Sequence, residues 1–260
     1  MDLGIAGRKA IICGSSRGLG RACAEALGEA GCTILINGLD PERLEGVAAE
    51  MRERFGAERV LHVAADVTTE AGRAALLAAM PEPDILITNA NGPPAADFRM
   101  LDDEALHVGL TKNMTSPIAL VQAVVDGMAA RGFGRIINIT SYSVLTPVDG
   151  LELSSGARAG LTAFLASIAR QVAGNGVTIN HLLPGPFETD RMTQLGEMMA
   201  KAKGVTVEQV RAEFLRPIPA GRMGTPAEFG AACAFLASAH AGFITGQGLL
   251  LDGGGFRSNF

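Results

Sequence analysis

Short apolar runs alternate along the chain with longer stretches in which apolar residues recur every three or four positions. Residues 9–13, 33–37, 60–64, 84–88, 134–140, 178–182 and 244–251 are of the first kind and predict strands. Ala22, Ala26, Leu27 and Ala30 mark an amphipathic helix closed by Gly31, and Leu44, Val47, Ala48, Met51 and Phe55 mark a second. Asp40-Pro41 opens that second helix, with Asp as N-cap and Pro at the first helical position. Further helices are expected over 71–80, from about 102 to 128, through Leu161, Phe164, Leu165, Ile168 and Val172, and from the capping box Thr225-Pro226-Ala227-Glu228 to 237. In the 102–128 helix Pro117 removes one backbone donor, which predicts a kink at Asn113.

Strand and helix alternate with no internal repeat and no low-complexity linker. The pattern predicts a single domain over residues 1–260, of class α/β, with a doubly wound parallel sheet. Residues 190–220 interrupt the alternation with an amphipathic insertion rich in Met and Ala, expected to form a substrate lid. Met192, Met198 and Met199 suggest that its inner face is apolar and adaptable.

Composition narrows the partners. The chain has 260 residues, 48% of them hydrophobic, and a formal charge of −5. That is enough apolar material for one large core, and it argues against disorder and nucleic-acid binding. The amino-terminal stretch has no cationic region leading into an apolar core, and no apolar run is long enough to span a bilayer. A cytoplasmic protein with no membrane partner is expected. Cys13, Cys23, Cys32 and Cys233 lack metal spacing and read as reduced core thiols. His62, His107, His181 and His240 are scattered and read as structural, so no metal is expected.

Two stretches carry chemistry. The first runs Gly14-Ser15-Ser16-Arg17-Gly18-Leu19-Gly20, after a strand and into a helix. Glycines there let the backbone turn tightly and approach a pyrophosphate held at the helix N-terminus. The second is residues 138–160, where a strand ends in Thr140, Ser141 and Ser143 and a helix opens with Ser154 and Arg158 on one face. It also contains Tyr142, the only tyrosine of the chain.

Gly14/Gly18/Gly20, Asp66-Val67, Asn89-Ala90, Asn113, Ser141, Pro184-Gly185 with Thr189, and Asp252-Gly253-Gly254 occur in this order over essentially the full length. The set resembles the short-chain dehydrogenase/reductase family, and within it the 3-oxoacyl-carrier-protein reductase-like members. The resemblance implies a Rossmann-like fold. It implies phosphate contacts at Gly14, Ser16, Arg17, Gly18, Leu19 and Gly20, adenine contacts at Asp66 and Val67, and a ribose contact near Asn89 and Ala90. Pro184, Gly185, Phe187 and Thr189 would hold the nicotinamide amide. Asn91 stands where the family usually has Gly. An acid at 38 would mark NAD, but this chain has Gly38, and Arg17 suits a 2′-phosphate, while Leu39 removes a second cation. NADP, with NADPH preferred over NADH, is the expected cofactor. Relatives usually form dimers or tetramers through two long helices, so a homo-oligomer, a homotetramer foremost, is implied.

The family's catalytic Ser and Asn map to Ser141 and Asn113, but its Tyr position is Ser154 and its Lys position is Arg158. Arg158 also inherits the Lys contact to the nicotinamide ribose. An aliphatic hydroxyl is a far weaker acid than a phenol and is shorter in reach. Arg158 stays charged and can stabilise an oxyanion, but it is a poor general acid. Water held by Ser154 and Arg158 and relayed along Asn113, Tyr142 swinging in, or Asp149 or Glu152 would have to deliver the proton. Tyr142 reads better as an aromatic packed at the strand end with its hydroxyl bonded. Three functions follow: an NADP(H)-dependent oxidoreductase interconverting a carbonyl and an alcohol on a small or acyl-type substrate, a lyase or isomerase on the same scaffold, or a silent NADP-binding protein.

Overall fold

The protein is described by a computed structural model that covers residues 2–258. Seven strands form one all-parallel sheet: β1 (Lys9–Ile12), β2 (Thr33–Gly38), β3 (Val60–Ala64), β4 (Ile85–Thr88), β5 (Gly134–Ile139), β6 (Val177–Pro184) and β7 (Gly248–Leu251). Their order is β3-β2-β1-β4-β5-β6-β7. The chain winds outward from β1 to β3, crosses to β4, and winds outward again to β7. The reversal between β1 and β4 opens a crevice beyond the carboxyl ends of those strands.

The helices are α1 (Gly18–Glu29), α2 (Pro41–Phe55), α3 (Glu70–Ala79), α4 (Asp103–Leu110), α5 (Ser116–Ala130), α6 (Glu152–Val172), α7 (Asp190–Lys203), α8 (Val207–Leu215) and α9 (Pro226–Ala237). Strand residues alternate between two cores. Ile12, Ile34, Ile36 and Ile87 pack with Leu27 of α1, Leu44 of α2 and Phe229 of α9. Ile11, Leu35, Leu86 and Ile136 pack with Leu76 of α3, Leu120 of α5 and Leu161 of α6. Both faces being covered is why the strands read as near-continuous apolar runs, and each buried Leu or Ile contributes roughly 1.5–3 kcal/mol.

Local signals hold where the caps are explicit. The Asp40 carboxylate accepts from the Arg43 amide at 3.1 Å with Pro41 behind it, and the Thr225–Glu228 capping box is complete at α9. All four cysteines are buried free thiols, and burial pushes Cys13 up to about 12. Among the described residues no helix is long and apolar enough to cross a membrane, and no cluster of His, Cys, Asp and Glu is placed to hold a metal ion.

Two expectations are corrected. The helix read over 102–128 is split into α4, a five-residue π-helical stretch at 111–115, and α5. Pro117 thus sits in the first turn of α5, where its missing donor costs little, and the distortion falls on the π-helical residues before it. The last strand begins at Gly248, not at 244. The segment before it is held by side chains: Asn180 Nδ2 donates to the Ile244 carbonyl at 2.7 Å, Asn180 Oδ1 accepts from the Gln247 amide at 3.0 Å, and Thr245 Oγ1 accepts from the Ile179 amide at 3.1 Å.

The amino end of β5 is closed by Arg135, which is 4% exposed. Its guanidinium donates to the carbonyls of Ser238, Gly134 and Gly176 at 2.9–3.1 Å and lies over the Phe133 ring.

Candidate active site

The first chemical stretch sits at the carboxyl end of β1, in the crevice. Gly14 and Gly18 adopt left-handed backbone (φ +57° and +58°), the conformation that admits glycine without strain. A Cβ on Gly20 would lie 2.2 Å from the Gly14 carbonyl oxygen, so the turn closes only on glycine. Asn89, at the end of β4, locks the turn by donating to that carbonyl at 3.1 Å. Helix α1 starts with no side-chain cap and no acid in its first turn, which leaves its amides and positive pole open to an anion. Arg17 is exposed and makes no ion pair among the described residues. At the end of β2, a Cβ on Gly38 would meet Ser16 Cβ and Oγ at 3.0 Å, and Leu39 is 68% exposed. Donors, an open helix pole and an unpaired guanidinium with no acid at 38 suit a phosphorylated dinucleotide.

Asp66 is exposed, its Oδ1 bonded to the amide and hydroxyl of Thr68, and Val67 is buried beneath it. With Asn89 and Ala90, Val67 lines a small cleft that also takes in Lys112 and Ser116. On the other side, Pro184 and Gly185 end β6.

Two assignments there are narrowed. Phe187 is 5% exposed and packs edge-on against Phe229 at 5.3 Å, so its side chain belongs to the core. Thr189 caps α7, its Oγ1 accepting from the Met192 amide at 3.4 Å.

The second stretch forms the floor. Ser141, just past β5, accepts the Ser143 amide on its Oγ at 3.1 Å and keeps its own proton to donate. Asn113, 3% exposed in the π-helical turn, donates to the Gly109 carbonyl at 3.4 Å, while its Oδ1 is buried with no donor among the described residues. Ser154 and Arg158 lie one turn apart in α6, and Arg158 Nε donates to Ser154 Oγ at 3.2 Å. Arg158 Nη1 donates to the Ile139 carbonyl at the end of β5, at 2.8 Å. Arg158 is 8% exposed and has no acid partner among the described residues; burial, then the nearby charge of Arg191, lowers it to about 10. At ordinary pH it is still a cation.

The substitute acids fare poorly. Tyr142 sits in a short 3-10 turn, half-buried, and its hydroxyl makes no bond to another described group, contrary to the expected bonded hydroxyl. Burial raises its pKa, which weakens it as an acid. Asp149 and Glu152 are exposed, and Glu152 is bound to the Gly150 amide at 3.1 Å. Met198 is 67% exposed and contributes nothing to an inner apolar face; Met192 instead lines a cleft with Thr189, Val207, Phe214 and Met223 between α7 and α8.

Gly92 and Arg191 escaped the sequence reading. A Cβ built on Gly92 would lie 3.3 Å from Ser154 Oγ, 3.6 Å from Arg158 Nη2 and 4.0 Å from Arg191 Nη1. The glycine after Asn91 keeps that space open, and Arg191 reaches it from the first turn of α7.

Comparison with known proteins agrees with this geometry. A family model described as enoyl-(acyl carrier protein) reductase matches residues 14–255. The 3-oxoacyl-[acyl-carrier-protein] reductase of Vibrio harveyi is 36% identical over 257 residues, covering 97% of this chain and 98% of that protein. The L-sorbose reductase of Gluconobacter frateurii, in a crystal structure with NADPH and L-sorbose, is 28% identical with a TM-score of 0.94, covering 99% of this chain and all of the other. A 3-oxoacyl (acyl-carrier-protein) reductase from Agrobacterium tumefaciens with NADP bound is 30% identical with a TM-score of 0.86, covering 97% and 96%. With the sheet order, the glycine turn and the crevice in place, these matches show that the chain is an oxidoreductase-type enzyme of the short-chain dehydrogenase/reductase family, similar to 3-oxoacyl-carrier-protein reductases.

Proposed function

We propose that the protein is an NADP(H)-dependent oxidoreductase that interconverts a carbonyl and an alcohol on a small or acyl-type substrate, with an altered route for the proton. The observation that carries this reading is the open pole of α1 behind the Gly14–Gly20 turn, with Gly38 and an unpaired Arg17 beside it. Gly14, Ser16, Gly18, Leu19 and Gly20 bind the pyrophosphate, Arg17 the 2′-phosphate, Asp66 and Val67 the adenine, and Asn89 and Ala90 the ribose. The backbone of Pro184, Gly185, Phe187 and Thr189 orients the nicotinamide. NADPH bound there supplies a hydride.

Ser141 donates to the substrate oxygen, and Arg158, held by Ile139 and Ser154, supplies fixed positive charge to the oxyanion without losing its own proton. The proton comes from water placed by Ser154, with the buried Asn113 Oδ1 as the polar stop of that water path. Helices α7 and α8 act as a lid over the substrate, with Met192 facing in. Exposed Leu106, Val108 and Leu110 of α4 and Phe164 of α6 support a homo-oligomer built on those helices.

Titration with NADPH and NADH, followed by loss of reduced-nicotinamide absorbance over a panel of ketones, tests the reading. NADPH is expected to bind about tenfold or more tighter, one charge-assisted contact being sufficient for that. The permanent charge of Arg158 also favours the non-redox alternative, in which it stabilises an enolate. Turnover without any nucleotide would select that alternative.

A further inference from the structure

The mechanism above uses Arg158 as one charge, yet the structure places two guanidinium groups and a hydroxyl around a single open point. Ser154 Oγ, Arg158 Nη2 and Arg191 Nη1 all lie within 4.0 Å of the position a Gly92 side chain would occupy. Arg158 spends Nε on Ser154 and Nη1 on Ile139; Nη2 has no acceptor among the described residues. Ser154 Oγ accepts from Arg158, so its own proton is free to donate into the same space. Arg191 is exposed and makes no hydrogen bond or ion pair among the described residues. Of the acids flanking these segments in sequence, Glu188 pairs with Arg211 at 2.7 Å and Glu152 accepts from the Gly150 amide, and none is bonded to Arg158 or Arg191 among the described residues.

Holding a cation out of water without a counter-charge is costly, and a second cation beside it adds repulsion. An anion seated between the two would offset both. One hydroxyl and two guanidinium groups around a single point suit the two oxygens of a carboxylate, guanidinium groups being matched to planar carboxylates. The point lies beside Gly92, in the segment after β4, and against the first turns of α6.

We propose that Ser154, Arg158 and Arg191 form a carboxylate-binding site next to Gly92. The substrate is therefore an oxo acid whose carboxylate docks there while its carbonyl meets the nicotinamide. The docking site stands on its own geometry; the oxo-acid assignment rests on the redox reading above.

Calorimetric titration of the protein, alone and loaded with NADP+, tests both parts. The probes are pyruvate and levulinate, each against its methyl ester, and inorganic phosphate. At least one acid is expected to bind about tenfold or more tighter than its ester, the contribution of a charge-assisted pair. Arg191→Gln should reduce that preference about fivefold or more without shifting the melting temperature, since the side chain is exposed and unpartnered. Arg158→Lys, which keeps the charge, should keep part of the preference. Equal binding of acids and esters, an unchanged preference in Arg191→Gln, or phosphate binding tighter than either acid would overturn the carboxylate site. Acid preference without any binding of NADP+ would leave the site standing and remove the redox reading; the reverse result would remove only the site.

Discussion

Replacing Arg158 by Met separates a residue kept for ligands from one kept for the fold. Burial, with the neighbouring Arg191 charge, lowers the Arg158 guanidinium to about 10, so the folded state disfavours its charged form by roughly 3 kcal/mol. Because the folded value lies near 10, this cost is present throughout ordinary pH and fades only as pH rises through that value. Against it stand two hydrogen bonds, to the Ile139 carbonyl at 2.8 Å and to Ser154 at 3.2 Å. They contribute about 1.5–3 and about 1 kcal/mol. Methionine has similar length and no charge to desolvate, so the two sides cancel to within about 1 kcal/mol. For a chain of this size that is a shift in melting temperature of only about 2–4 °C. Turnover in the same variant should fall about a hundredfold or more, as an oxyanion donor is lost.

Arg135→Met is the control. Burial and the Arg8 charge lower the pKa of this guanidinium too, but it donates to three carbonyls, each bond contributing roughly 1.5–3 kcal/mol, which outweighs that cost, so this variant should melt about 6 °C or more below the parent. Thermal denaturation followed by circular dichroism, repeated with urea, reads both. If Arg158→Met loses as much stability as Arg135→Met, Arg158 is a structural residue and the reading of it as a ligand group fails.

Two further outcomes follow from the geometry. Gly38→Asp puts a carboxylate against Ser16, next in sequence to Arg17, where the Cβ alone presses on Ser16 at 3.0 Å; NADPH affinity should fall about tenfold while NADH holds or gains, and an unchanged NADPH/NADH ratio in fluorescence titration would refute the cofactor assignment. His181 is 1% exposed with neither ring nitrogen bonded to another described residue, and burial lowers it from 6.5 to about 4. The unfolded chain then binds the proton first, so stability is complete above about pH 6.5 and falls by up to roughly 3 kcal/mol as pH drops to 4. His181→Leu should remove that part of the acid sensitivity in urea melts at pH 7 and pH 4.5, and an identical pH slope in both proteins would show that His181 is not its source.

The parts of this molecule visible in the sequence are those fixed by local rules. Strand positions followed from apolar runs, because both faces of a parallel sheet are buried. The α2 and α9 starts followed from Asp40 and from Thr225 with Glu228, whose caps involve only neighbouring amides. The Ser154–Arg158 contact followed from helical spacing. What escaped depends on distant partners. Residues 244–247 have the composition of a strand, yet the side chain of Asn180 on a neighbouring strand claims their backbone. Pro117 announced a distortion but not that it would take π-helical form. Phe187 belongs to the core because Phe229 meets it there. Arg191 carries no signal in the sequence, since only the approach of α7 to the segment after β4 brings it to Gly92. A useful signal was present: a chain that gains an arginine inside its core should also gain an acid, and none stood at helical spacing from Arg158.

Strand β5 carries a guanidinium at each end. Arg135 ties the amino end to the segments before β6 and after α9, and Arg158 grips the last carbonyl, that of Ile139, from α6. Position at the working end is therefore inherited through a short, fully buried strand from an anchorage at the opposite edge of the sheet. Arg158 is thus tied to the end of a strand buried along its whole length, whereas Arg191 approaches the same point from the exposed first turn of α7.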